Sequence, residues 1–129
     1  MKYMVLVYGN EQIWGSGTPE EFSTFVGEVD AFNAELLESG EMVTVDGLLP
    51  QPRAIRAVAD GSVPVVTDGP YLEAKEHVGS YFVLDVATEE RALAIAQSYP
   101  ALHYGNGLGG GVEVWPLMNA LGGPGGADS

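Results

Sequence analysis

Cysteine is missing from all 129 residues, and with it go disulfide scaffolds, zinc knuckles and thiol nucleophiles. Cations are nearly as scarce: Lys2, Arg53, Arg56, Lys75 and Arg91 stand against eighteen Asp and Glu, a formal net charge of -13. Phosphate backbones and anionic headgroups need clustered Lys or Arg to displace their counterions, so neither nucleic acid nor a membrane is an expected partner. His77 and His103 are the only histidines and share no ligand-pair spacing, so neither a metal nor another cofactor is expected. No serine sits in a nucleophile elbow of the G-x-S-x-G kind, which leaves acyl transfer unsupported. Long apolar runs are absent too. The stretch from Tyr3 to Tyr8 is too short for a signal-peptide core, and nothing approaches the roughly 18 apolar residues of a spanning helix. A soluble, cytoplasmic protein is the expectation.

What is present fits one domain, since a hydrophobic share of 46% in 129 residues suffices for one contiguous core. Lys2 to Tyr8 reads as a strand buried on both faces or in the centre of a sheet. Thr18-Pro19-Glu20-Glu21 predicts a helix start: threonine caps, proline fits the first helical position, and acidic side chains meet the positive end of the dipole. Phe22, Phe25, Val26, Val29, Phe32 and Leu36 then recur at helical spacing, and Gly40 stops the helix. Glu41 to Leu49 is a second strand. A hairpin follows, with arms Ala54 to Ala59 and Val63 to Thr67 and the turn dipeptide Asp60-Gly61. Val78 to Val86 alternates as a strand, Thr88-Glu89-Glu90-Arg91 opens a second helix closed by Pro100, and Val112 to Leu117 is the last strand.

The order is that of an α+β fold, a ferredoxin-like βαββαβ core with an additional β-hairpin. Its helices lie on one face of the sheet, so the other needs a cover. The simplest cover is the same face of a second copy, which predicts a homodimer with a barrel-like interior. Nine of the eighteen glycines fall between Gly105 and Gly126, and residues 119–129 read as a Gly-rich disordered tail after a domain of residues 1–118. Gly105, Gly107 and Gly110 match the spacing of a dinucleotide loop, but this loop follows a helix and enters a strand, the reverse of what pyrophosphate binding requires.

Chemistry is concentrated in one window. Between Asp68 and His77, five of ten positions are acidic or basic: Asp68, Glu73, Lys75, Glu76 and His77. Pro70 fixes its own φ and keeps Gly69 out of the helical region, so the chain leaves the preceding strand stiffly. A helical turn beyond Pro70 puts Glu73 and His77 on one face, whereas an extended chain aligns Glu73, Lys75 and His77. Either way a carboxylate meets a cation. The catalytic candidates are Asp68, Glu73, Lys75 and Glu76, with Tyr71 and His77 as ligand contacts in a small-molecule pocket. The same residues serve equally as a structural loop in which Asp68 caps a turn and Lys75 balances Glu73 or Glu76. Trp14 and Trp115, with Tyr8, Tyr71, Tyr81 and Tyr104, suit either an apolar pocket or core and dimer contacts.

Met1-Lys2-Tyr3-Met4, then Val66-Thr67-Asp68-Gly69-Pro70-Tyr71-Leu72-Glu73-Ala74-Lys75-Glu76, Gly79-Ser80-Tyr81-Phe82 and Val112-Glu113-Val114-Trp115-Pro116 together resemble the DGPF branch of the YCII-related proteins. Tyr71 stands where that branch usually has phenylalanine. The resemblance implies a dimeric α/β-barrel of ferredoxin-like protomers, mostly bacterial and without an assigned function. Some genes of such proteins neighbour those of extracytoplasmic-function sigma factors, which implies a non-enzymatic, regulatory alternative. Two positions depart from the pattern. The helix after Thr18 contains no histidine, so the His-Asp pair proposed as an active site in the YCII branch, and the dehalogenation known in the family, have no matching residues here. Trp115 replaces the arginine common in the closing motif, which removes a cation that would meet an anionic ligand or a carboxylate.

Overall fold

Alternation along Lys2–Gly9, strand β1, sets the architecture: Tyr3, Val5 and Val7 are buried while Met4, Leu6 and Tyr8 are half-buried on the other side. The computed structural model describes residues 1–72, 76–104 and 110–118. Within them the order is β1, a one-turn helix α1 (Glu11–Trp14), α2 (Pro19–Ser39), β2 (Met42–Gly47), β3 (Arg53–Arg56), β4 (Val65–Asp68), β5 (His77–Asp85), α3 (Glu89–Gln97), a 3-10 turn (Pro100–His103) and β6 (Gly111–Pro116). Four strands form an antiparallel sheet in the order β2-β5-β1-β6, while β3 and β4 pair as a separate two-stranded sheet. This α+β architecture is consistent with a ferredoxin-like fold. The proposed tail at 119–129 and most of the first glycine cluster lie outside the described residues.

Both helix starts follow the local chemistry. Thr18 accepts from the Glu21 amide at 3.1 Å while the Glu21 carboxylate accepts from the Thr18 amide at 3.0 Å, and Pro19 begins the helix. The Glu21 carboxyl is held below its ordinary range chiefly by that amide. Gly40 ends α2 in the left-handed region at φ 83°. Thr88 caps α3 through the Arg91 amide at 3.2 Å. The Arg91 guanidinium then grips Glu41 with two bonds of 2.8 and 2.7 Å, fastening α3 to the entry of β2.

Registers decide which side chains meet. Tyr3 pairs with Leu84 and Val5 with Phe82 across β1 and β5, and Val5 with Val114 and Val7 with Val112 across β1 and β6. Opposed residues in an antiparallel ladder share a face, so these form the floor on which Leu36, Ala92, Ile95, Ala96 and Tyr99 pack. Phe82 is wholly buried and stands edge-on to Phe32 at 5.9 Å and tilted to Tyr99 at 5.4 Å. The opposite face carries Met4, Leu6 and Tyr81, half-buried, with Val83 buried and Trp115 exposed, while the helical residues of the core pack on the first face. β1 is therefore interior to the sheet, fully buried on the helical side and half-buried on the other.

Three details depart from the sequence expectation. Asn10 to Trp14, for which the sequence pattern gives no element, is a capped helical turn, with the Asn10 Oδ1 accepting from the Ile13 amide at 3.0 Å. Pro100 closes α3 and also opens the 3-10 turn, a position proline favours. The hairpin strands are shorter than expected, Arg53–Arg56 and Val65–Asp68, although Arg53 opposite Asp68 keeps the register of a turn centred on residues 60 and 61. Pro64 cannot donate to the ladder, and Asp60 binds the Ser62 amide at 2.9 Å, so local turn bonds replace pairing near the tip.

Candidate functional site

Where β1 ends and β5 and β6 begin, Tyr8, Glu76, Gly110, Gly111, Val112 and Glu113 line a shallow cavity of about 280 Å³ that is broadly open to solvent. The central strand supplies Tyr8, whose hydroxyl donates to Glu113 Oε1 at 2.7 Å across to β6. The Trp115 indole N–H donates to the same oxygen at 3.2 Å. Glu113 and Trp115 lie two residues apart on one strand, hence on one face, and that spacing lets the indole reach the carboxylate. Glu76, half-buried just before β5, accepts through Oε2 from the Gly110 amide just before β6. Both carboxylates are thus held by donors from the wall. Glu76 Oε1 and Glu113 Oε2 take no hydrogen bond among the described residues.

The wall is built by close approach. Gly110 adopts φ 91°, and a Cβ there would stand 3.0 Å from Ile13 Cδ1 and 3.2 Å from the Tyr8 carbonyl. Ile13 is the buried residue of α1, so that single turn is the buttress on which the Gly110 backbone rests. Trp14 from the same turn lies over Gly9, where a Cβ would come within 2.4 Å of the indole. Its ring continues into a cluster with Phe25 at 6.3 Å, and Phe25 stacks on Tyr104 at 4.4 Å.

Tyr8 ionises less readily than an ordinary tyrosine, first because its hydroxyl donates to Glu113, then through partial burial and the negative charge of that carboxylate. A folded-state pKa above the unfolded one means the contribution is fully present below the ordinary tyrosine range and is lost as pH rises through the elevated value. Tyr8→Phe is therefore expected to show a smaller loss of stability on the alkaline side than wild type in urea denaturation at stepped pH. Equal alkaline losses in both proteins would remove the hydroxyl–carboxylate bond from the account.

The charged segment is divided by the fold. Of the four candidates among the described residues, Glu76 alone lines the cavity. Asp68 closes β4, with its side chain 93% exposed and 3.3 Å from Arg53 Nε. Gly69 leaves the strand at φ 93°, the left-handed conformation that suits glycine, and its amide donates to the Pro52 carbonyl at 2.9 Å. The exposed Tyr71 ring lies beneath the Arg56 guanidinium at 4.9 Å, and Arg56 Nη2 donates to the Tyr71 carbonyl at 2.8 Å. His77 is exposed at the start of β5, opposite Gly9. Glu73 and Lys75 lie outside the described residues. Tyr8 was legible only as one of several aromatics, and Glu113 and Gly110 gave no signal as pocket residues. Trp115 brings a neutral donor to a carboxylate at the position where an arginine would bring a charged one.

A second cavity, about 420 Å³, opens at the other end of the sheet between Met1, Tyr3, Pro116 and the segment from Ala87 to Glu90. It is larger, but none of the motif residues reaches it. Among the described residues no group of His, Cys, Asp or Glu is placed to hold a metal, and no helix is long and apolar enough to cross a membrane.

Comparison with known proteins places this geometry in context. The model of the YCII-related domain matches residues 1–118. An uncharacterised protein of Rhizobium meliloti (strain 1021) is 30% identical over 117 residues, which cover 91% of this chain and 92% of that protein.

Proposed function

The chain belongs to the YCII-related domain family, and from that premise we propose that it is a small-molecule-binding homodimer whose ligand site is the Tyr8–Glu76–Glu113 cavity. The observation that carries the reading is the position of two carboxylates in one cavity at the rim of the apolar sheet face opposite the helical core. Met4, Leu6 and Tyr81, half-buried around the buried Val83, present that face with Trp115, which is 53% exposed. An apolar surface of this kind marks an interaction site, and two such sheets stacked face to face through a two-fold axis give the barrel-like interior. The cavity then lies at the edge of the joint.

Its chemistry favours a compact ligand with a cationic or hydrogen-bond-donating head. Glu76 Oε1 and Glu113 Oε2 supply acceptors, the Tyr8 ring supplies an apolar wall, and a carboxylate ligand meets two like charges. Binding is the reading the described groups support, and Glu76 is the group through which acid–base chemistry would act on a bound molecule. Benzylamine, benzyl alcohol and benzoate, equal in ring and different in head group, make the test. A thermal-shift series is expected to rank the amine first and to show no stabilisation by benzoate, with the amine effect lost in Glu76→Gln. Equal responses to all three probes, or an amine effect unchanged in Glu76→Gln, would sink the proposal.

A further inference from the structure

The larger cavity, about 420 Å³, shares no residue with the proposed ligand site and lies at the other end of the sheet. Its volume falls in the range of roughly 300–1,000 Å³ typical of small-molecule pockets, its wall is mostly apolar, and its mouth is open to solvent. Two strands and one helix build it. Tyr3 of β1 pairs with Pro116 of β6, and the turn from β5 into α3 brings Ala87, Thr88, Glu89 and Glu90 alongside. Tyr3 is only 2% exposed, yet its hydroxyl has a poor partner: among the described residues it donates only to the Met1 thioether, at 3.8 Å. Sulfur is a weak acceptor, and Met1, itself 44% exposed, is a flexible side chain free to swing aside. Further donors border the same space. A helix leaves its first amides without intrahelical acceptors, and at the start of α3 Thr88 takes up that of Arg91 at 3.2 Å, leaving those of Glu89 and Glu90 to solvent or a ligand.

We propose that this cavity is a second binding site, for a neutral, largely apolar molecule that carries a carbonyl oxygen. The Tyr3 hydroxyl donates to that oxygen in place of the Met1 sulfur, exchanging a weak acceptor for a strong one beside a residue nearly sealed from water. Met1 turns outward, and the apolar body of the ligand lies against Pro116 and Ala87. Charge selection comes from the rim. Glu89 and Glu90 are exposed residues of the wall, so an anionic acceptor meets two like charges there. An ammonium group has no oxygen with which to receive the hydroxyl hydrogen, and that separates this site from the amine preference of the Tyr8–Glu76–Glu113 cavity. The two sites are independent, since neither needs the residues or the ligand of the other.

Acetophenone, ethylbenzene and benzoate share a ring and differ in carbonyl and charge, and amide proton–nitrogen spectra of the full-length, nitrogen-15-labelled protein report where each one sits. Acetophenone is expected to give saturable shifts at Tyr3 and at residues 87–90, with ethylbenzene and benzoate at least about five-fold weaker, the size of one lost hydrogen bond. Tyr3→Phe keeps the ring and removes only the hydroxyl, and it is expected to weaken acetophenone binding by about five- to ten-fold. Ala87→Phe adds a ring at an exposed position of the wall, and it is expected to abolish binding with the Tyr3 hydroxyl intact. Equal affinity for acetophenone and ethylbenzene overturns the proposal, as does undiminished acetophenone binding in a folded Tyr3→Phe. Acetophenone shifts that fail to saturate, or that centre on Glu76 and Glu113, overturn it too. Should Tyr3→Phe not fold, the ranking of the three probes on wild type, together with Ala87→Phe, decides the matter.

Discussion

Phe82→Ala is expected to lower the unfolding free energy by about 3–5 kcal/mol, the range for deleting a fully buried aromatic ring. Phe82 joins the layers: it sits on β5, meets Phe32 of α2 at 5.9 Å and meets Tyr99, beyond α3, at 5.4 Å. Phe32 and Tyr99 also stand edge-on to each other at 5.2 Å, so removing Phe82 unseats the shared partner of both helical segments. Since whole domains are stable by only about 5–15 kcal/mol, the variant gives up a large share of that margin. Urea denaturation at fixed protein concentration measures it. A loss below about 1 kcal/mol would mean that this triad does not hold the helices to the sheet.

The second large effect belongs to Gly110→Ala. A non-glycine residue at φ 91° carries backbone strain of about 1–3 kcal/mol. The new Cβ would also stand 3.2 Å from the Tyr8 carbonyl, which belongs to the central strand and has little room to yield. Relief comes most readily by moving the Gly110 segment, and that segment carries the amide that binds Glu76. Stability and amine binding should therefore fall together in Gly110→Ala, whereas Gly61→Ala, also at positive φ but at the hairpin tip, should lose stability alone. Undiminished amine binding in Gly110→Ala would separate the glycine from the site.

The fold was legible wherever one residue dictates its own neighbourhood. Thr18 with Glu21, Gly40 and Thr88 mark helix ends through bonds within a few residues of themselves, and Phe82, Leu84 and Val86 announce one sheet face by alternation. The one-turn helix at Glu11–Trp14 is too short for any periodicity, and only its cap, Asn10, leaves a trace in the sequence. The site was less legible for a different reason. Tyr8 and Glu113 are 105 positions apart and Glu76 and Gly110 are 34 apart, and sheet register brings each pair together. The charged window from Asp68 to His77 reaches the cavity, among its described residues, through Glu76. It could not show that the hairpin would take Asp68 and Tyr71 for its own base, because that follows from the pairing of Arg53 with Asp68 and the stacking of Arg56 on Tyr71.

A titration of the full-length, nitrogen-15-labelled protein with benzylamine, followed by amide proton–nitrogen spectra, tests the central claim most directly. Saturable shifts confined to the amides of Glu76, Gly110, Gly111, Val112 and Glu113, and abolished in Glu76→Gln, are the expected result. Shifts that do not saturate, or that gather at the cavity between Tyr3 and Glu90, would contradict the assignment of the ligand site to the Tyr8–Glu76–Glu113 cavity.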